Sequence, residues 1–384
     1  MLNCLPQDYK DAILLGRIWQ GKGPSPVLVV KGVVYDLSHE AATTSQFLNC
    51  WNGDLDRFTR SVTRMGDIEQ LSLVPAWEND ERAMRLLSPI DLQVVKASGV
   101  TFAVSAIERV IEERAMGDSS AASDIRAKLA ERVGADIRSV VPGSEESRSL
   151  KAALIEDGLW SQYLEVAIGP DAEVFTKAPI LSTMGWGDYI GVRGDSEWNN
   201  PEPEIVLVCD GVGRALGASL GNDVNLRDFE GRSALLLGKA KDNTASASIG
   251  PFIRLFDDTY TLDDVRSATV SLEIEGADGF RLEGASPMSE ISRDPATLVS
   301  QTIGKNHQYP DGFALYLGTM FAPTDDRDEA GRGFTHKVGD RVRIASEKLG
   351  VLENEVTTCD LAPRWSFGVM NLMRNLADRG LLTA

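Results

Sequence analysis

Three acidic residues supply the clearest chemistry in the chain. Glu202 and Glu204 flank Pro203 at the head of a strand-like run that extends to Asp210. A strand alternates its faces with a period of two, so both carboxylates point the same way. The run ends in Asp210-Gly211, a hairpin signal, and the returning segment RALGASLGNDV carries Asp223. A turn centred on Gly211 and Val212 sets Glu202 opposite Gly221 and makes Asp223 its diagonal neighbour on the same face. Three carboxylates in one small volume repel and raise one another's pKa unless a cation joins them. Oxygen-only ligands favour a hard ion such as Mg²⁺, Mn²⁺ or Ca²⁺ over zinc. The spacing also fits a solvated strand edge, where Pro203 is tolerated.

The elements that must hold these residues are mostly short strands. Beyond Trp160, the runs YLEVAIG, EIVLVCDG, SALLLG, ATVSLEIEG, GFALYLGTMFAP and DRVRIAS are separated by Gly, Asp and Asn, which predicts a mainly β domain. From Ala12 to Leu37, apolar runs punctuated by glycine and proline predict a small β-rich N-terminal unit, followed by a short helix around Thr44 to Leu55. Between these regions lies a helical block, about residues 104–158. In VSAIERVIEERAMG, Val104, Ile107, Val110 and Ile111 recur at helical spacing. In SDIRAKLAERVGA, Ile125, Leu129 and Val133 form one stripe that stops at Gly134. A third helix follows Pro142-Gly143, carries Leu150 and Leu154, and closes at Gly158. The expected organisation is an N-terminal β-rich domain over 1–95 and a catalytic domain over 96–384. No internal repeat is visible.

Composition narrows the partners. A formal charge of −18 opposes nucleic-acid binding, which depends on Lys and Arg at phosphates. An anionic substrate would need local compensation from a metal or placed cations. The four cysteines have no paired spacing, which fits a reducing cytoplasm, and neither a signal peptide nor a membrane-spanning run is recognisable.

The stretch GDYIGVRGDSEWNNPEPEIVLVCDGVGRALGASLGNDVNLRDFEG, followed by KAKDNTASASIGPFI, resembles the core of the fumarylacetoacetate hydrolase superfamily. The resemblance implies an α+β, mainly β fold: a mixed β-roll with a small N-terminal β domain and a helical segment between. It further implies a homodimer or homotetramer and a metal, Mg²⁺ with Mn²⁺ able to substitute, held by Glu202, Glu204 and Asp223. Arg227 in the N-D-x-x-x-R run, Lys241 before Gly250-Pro251, Gly318-Thr319 in a late glycine-rich strand and the closing segment GDRVRIASEKLGVLENEV also match.

One departure bears on the reaction. Family hydrolases of carbon–carbon bonds commonly carry a His-x-x-Glu pair that activates water. In GVTFAVSAIERV, placing Gly99 on the family glycine puts Ser105 at the histidine and leaves Glu108 as the glutamate. The three histidines, His39, His307 and His336, offer no obvious replacement and read as loop or surface residues. The GVTFA and S-x-x-ER pattern, with W-N-x-P-E-P-E and F-T-H-K, resembles the family's 2-keto-3-deoxypentonate dehydratases, which form 2,5-dioxopentanoate. The implied roles are proton transfer by Glu108, charge neutralisation by Lys241, and contacts to a small 2-oxo acid from Ser105, Arg227, Lys241 and Thr319. On residues alone, Lys241 also reads as a solvated lysine beside Lys239, and Arg227 as a partner of Asp228 or Glu230. The alternatives are a hydrolase or decarboxylase of 2,4-diketo acids and a noncatalytic metal-binding protein.

Overall fold

Most apolar runs bounded by glycine, proline and aspartate become strands, but YLEVAIG, expected as a strand, lies in the helix Gln162–Ile168, and SALLLG in the 3-10 helix Ala234–Leu236 and the start of the helix Leu237–Lys241. The computed structural model describes residues 3–60, 62–78, 83–116, 140–156, 158, 160–321, 325–328 and 333–382. Along the chain the strands are β1 Ile13–Trp19, β2 Pro24–Val30, β3 Val33–Asp36, β4 Thr63–Asp67, β5 Arg85–Leu87, β6 Val94–Gly99, β7 Glu173–Ala178, β8 Tyr189–Val192 and β9 Asn199–Asn200. They continue with β10 Pro203–Cys209, β11 Ala215–Asp223, β12 Asn225–Leu226, β13 Ala247–Leu255, β14 Thr269–Glu275, β15 Arg281–Pro287, β16 Phe313–Tyr316, β17 Arg341–Ser346 and β18 Gly350–Thr358.

Two sheets carry the fold. The larger runs β4-β3-β2-β1-β13-β11-β10-β16-β6-β7, with β5 added to β1. The smaller runs β15-β14-β17-β18-β8, and β9 pairs with β12 separately. Every residue of β10 and β13 is buried, so these strands are covered on both faces and read as continuous rather than alternating patterns. In β14, Val270, Leu272 and Ile274 are buried while Thr269, Ser271 and Glu275 are exposed, the mark of a sheet with one wet face. β11 packs on β17 and β18, β13 on β18, and β10 on β14. Between them lies a core that includes Ile205, Leu207, Leu220, Leu272, Ile344 and Leu352.

Expected helices appear at Ala103–Arg114 and Glu145–Glu156. The stripe of Ile125, Leu129 and Val133 lies outside the described residues. The helix expected over 44–55 is two helices, Thr44–Cys50 and Leu55–Thr59, split at Gly53, whose φ of +90° cannot continue an α-helix. No helix among the described residues is long and apolar enough to cross a membrane.

The β10–β11 hairpin departs from the expected register. Glu204, not Glu202, faces Gly221. The loop is longer than a two-residue turn: the Asp210 N–H donates to the Arg214 carbonyl at 3.1 Å, and Asp210 Oδ1 accepts from the Val212 and Arg214 N–H groups. A bulge between Val208 and Cys209 leaves Leu216 as an extra residue on β11. Together these shift the pairing by two, which preserves the face of every side chain. Asp223 therefore lies beside Glu202, donating its N–H to the Glu202 carbonyl at 3.0 Å.

Gly221 fixes how closely β10, β11 and β16 approach, because a Cβ there would strike the Tyr316 ring and Val206. Gly221→Val should destabilise the protein by about 1–3 kcal/mol through overpacking. An unchanged denaturant midpoint would show that the strands have room to separate.

Candidate active site and metal centre

Strand ends gather the acidic side chains. Glu204 lies at the start of β10, Asp223 ends β11, Gly99 ends β6, and Glu173 opens β7 directly opposite Gly99. A Cβ at Gly99 would collide with the Glu173 carboxyl, so the glycine makes room for it. β16 lies between β10 and β6 and delivers Gly318, whose N–H donates to Glu204 Oε2 at 2.6 Å. Gly318 has φ +92°, and a Cβ there would meet Thr101 Oγ1, which reserves this donor position for glycine.

Glu202, Glu204 and Asp223 are 5%, 2% and 2% exposed, and one oxygen from each lies within 4.8 Å of the others. The reading as a solvated strand edge is thereby overturned: β10 is enclosed between β11 and β16. Lys241, from the short helix Leu237–Lys241, donates to Glu202 Oε2 at 2.5 Å and to Asp223 Oδ2 at 3.0 Å. Lys177 on β7 reaches Asp223 Oδ1 at 2.7 Å. Arg109, from the Ala103–Arg114 helix, bridges Glu202 Oε1 at 2.6 Å and Glu230 Oε2 at 3.0 Å.

Burial and mutual repulsion set the protonation pattern. Burial, reinforced by the charges of Asp223 and Glu202, holds Glu204 well above the ordinary carboxylate range. Burial also acts to raise Asp223, but Lys177 and Lys241 outweigh it and hold that carboxyl low. Burial opposes the charge on Lys241, yet Asp223, Glu202 and Glu230 keep its ammonium protonated more firmly than usual. Burial, helped by Glu230, pushes Glu173 up to about 7.

A cavity of about 30 Å³ lies among these groups, lined by Ser105, Arg109, Glu173, Phe175, Thr319, Lys241 and the triad. A divalent metal fits the donor set. Glu173, Glu202, Glu204, Asp223 and Glu230 outnumber Lys177, Lys241 and Arg109 by two, and the convergent oxygens are hard ligands with neither sulfur nor imidazole among them. A larger cavity, about 460 Å³, lies beside Trp19, Leu181, Met184 and Phe367 and includes none of the triad.

The structure divides the expected site residues. Ser105, Lys241 and Thr319 line the small cavity; Glu108 and Arg227 are not in its lining. Ser105 Oγ donates to the Phe102 carbonyl at 2.8 Å and closes the first turn of its helix. Thr319 Oγ1 accepts the Phe321 N–H at 3.1 Å. Arg227, 1% exposed, stacks on Trp198 at 4.4 Å and meets Glu108 at 3.2 Å, a contact absent from the pairs weighed on sequence. Lys241 is buried, which overturns its reading as a solvated lysine. His39 and His307 are exposed, whereas His336 is buried with Nδ1 3.3 Å from Asp340 Oδ2. Sequence reasoning missed Glu173 and Lys177. The available signal was the alternation Glu173, Phe175, Lys177, which sets two ionisable groups and an aromatic on one face of β7.

No family model matches the chain. Over 203 residues it is 34% identical to the "Probable 2-keto-3-deoxyxylonate dehydratase" of Haloferax volcanii, covering 53% of the chain and 66% of that protein. Over 183 residues it is 33% identical to the 2-dehydro-3-deoxy-D-arabinonate dehydratase of Saccharolobus solfataricus, covering 47% of the chain and 57% of that protein. The matched stretches thus span less than two thirds of either relative. Among solved structures, a fumarylacetoacetate hydrolase from Exiguobacterium antarcticum aligns with 90% of the chain and all of its own, at TM-score 0.54 and 17% identity. The chain has the fumarylacetoacetate hydrolase fold. Within that fold, a 2-keto-3-deoxy-D-arabinonate dehydratase complexed with magnesium and 2,5-dioxopentanoate aligns at TM-score 0.60 and 22% identity, covering 90% of the chain and 99% of that structure. The resemblance read from the sequence recurs here as similarity to pentonate dehydratases over about half of the chain and as a shared fold.

The elevated Glu173 gives a signed expectation for the metal-free protein. A carboxyl whose folded pKa exceeds its unfolded one stabilises the fold while protonated in both states. That contribution is lost as pH rises from about 4.5 toward 7. Glu173→Gln should remove this loss, so its melting temperature should gain on wild type across that interval. Parallel pH profiles would show that Glu173 titrates normally.

Proposed function

We propose that the chain is a divalent-metal-dependent dehydratase that converts a 2-keto-3-deoxy-D-pentonate, the arabinonate or equivalently the xylonate, into 2,5-dioxopentanoate. The observation that carries this reading is the buried convergence of Glu202, Glu204 and Asp223 with Lys241, facing Glu173 across one cavity. The names of the curated relatives support the substrate class. Mg²⁺ is the proposed ion, with Mn²⁺ able to substitute, held by the three carboxylates. When bound, such an ion polarises a 2-oxo group and acidifies the adjacent C3 hydrogen.

The chain's own residues supply the rest. Lys241 presents its ammonium to the negative charge that develops on the substrate oxygen as the C3 proton leaves. Glu173, poised near neutrality, is suited to take that proton and to return one to the departing C4 hydroxyl, so one group serves both transfers. The water lost carries the C4 hydroxyl and leaves a C3=C4 double bond conjugated to the 2-oxo group; loss of a C5 proton with protonation at C3 moves that bond to C4=C5 as an enol, which takes a proton at C4 to give the C5 aldehyde. Glu108 was the proton-transfer candidate on sequence; its pairing with Arg227 suits it better to bracing the helix that carries Arg109. The cavity holds little beyond an ion, so a five-carbon acid requires its lining side chains to part. Arg109 and Lys241 provide the local cations that an acidic protein needs to admit a carboxylate. A soluble cytoplasmic homodimer or homotetramer completes the proposal.

The diketo-acid hydrolase alternative is disfavoured because Ser105 is engaged in the helix turn and the cavity's described lining contains no histidine to activate water. Chelation should abolish aldehyde formation from 2-keto-3-deoxy-D-arabinonate, and Mg²⁺ should restore it. Glu173→Gln should lower kcat by about a hundredfold to ten-thousandfold, well beyond the effect of Glu108→Gln. Faster cleavage of a 2,4-diketo acid than dehydration of any 2-keto-3-deoxypentonate would favour the hydrolase. A larger loss in Glu108→Gln than in Glu173→Gln would return the proton-transfer role to Glu108.

A further inference from the structure

Lys177 sits behind the triad and does not line the cavity. Its ammonium, in a side chain with no exposed surface, donates to the Val224 carbonyl at 3.0 Å and the Lys241 carbonyl at 2.5 Å and forms an ion pair with Asp223 Oδ1 at 2.7 Å. Two of these contacts belong to the segment of the third carboxylate, and the third belongs to the backbone of the cavity lysine. Asp223 is therefore divided between two lysines, with Oδ1 on Lys177 and Oδ2 on Lys241. The two are not equivalent. The Lys241 ammonium bridges Glu202 and Asp223 and so stands on oxygens a divalent cation would also claim. Lys177 touches neither Glu202 nor Glu204 and keeps its hold on Oδ1 whichever cation sits at Oδ2.

We propose that Lys177 is the positioning residue of the metal centre. It fixes the rotamer of Asp223 through Oδ1, keeps Oδ2, which Lys241 holds in this structure, turned toward the ion site, and anchors the backbone from which Lys241 projects. It thereby ties one ligand and the cavity lysine to a single buried point on β7. The inference rests on the triad being a metal site, as proposed above.

The test is calorimetric titration of the metal-free, full-length protein with MgCl₂, comparing wild type with Lys177→Met, which keeps the length of the side chain and removes its charge. Partners that orient a metal ligand typically contribute about tenfold to a hundredfold in affinity, and a loss of that size is expected. A folded Lys177→Met that binds Mg²⁺ like wild type overturns the proposal. Wild type that binds no Mg²⁺ overturns the metal reading itself, a separate outcome. Removing one member of a buried ion pair is costly where removing both is not, so the variant's folding is also informative. If Lys177→Met fails to fold and Lys177→Met/Asp223→Asn folds, the lysine acts through Asp223, as proposed. If the double variant also fails to fold, Lys177 is a packing element and the proposal falls.

Discussion

Carboxylates removed from water resist ionisation, and three of them within 4.8 Å of one another resist it more. Every other feature of the site answers to that constraint. Lys241, Lys177 and Arg109 each meet one or two of the buried acids, and Gly318 donates its N–H to Glu204. Even so, Glu204 and Glu173 are pushed toward their neutral forms. Buried ion pairs seldom stabilise a fold relative to apolar packing, so a network on this scale is better understood as retained for what it binds.

The sheet supplies the rigidity that such a network needs. Five adjacent strands, β11, β10, β16, β6 and β7, bring their ends together, and their backbone pairing sets the spacing of the acids before any side chain moves. Glycine at 99, 221 and 318 lets backbone or side chains approach where a Cβ would intrude. Arg227 and Glu108 sit beside this frame: their pairing, with Trp198 stacked on the guanidinium, links the Ala103–Arg114 helix to the Arg227–Arg232 helix and so sets where Arg109 stands.

What was legible in the sequence follows from the range of the interactions. The carboxylate triad was readable because strand alternation is local, and it survived a misjudged turn because the shift was two residues and not one. The bulge at Val208 and Cys209 left no sequence mark. The alternative of a solvated strand edge, which Pro203 left open, could not be dismissed from the sequence because β16, over a hundred residues later, is what covers β10. Glu173 and Lys177 were within reach of the alternation argument but had no partner in the nearby sequence, since β7 joins the site only through β6. The pairing of Glu108 with Arg227 spans 119 positions and brings together two helices that no local pattern relates.

The central claim is that the buried acids exist to hold a divalent ion. It is tested most directly by crystals grown with Mn²⁺, whose anomalous scattering locates the metal without reference to turnover. The account predicts one strong peak bonded to an oxygen from each of Glu202, Glu204 and Asp223, with Lys241 moved from at least one of the oxygens it now bridges. A peak elsewhere, or none among the three carboxylates with Lys241 still joining Glu202 to Asp223, would contradict it.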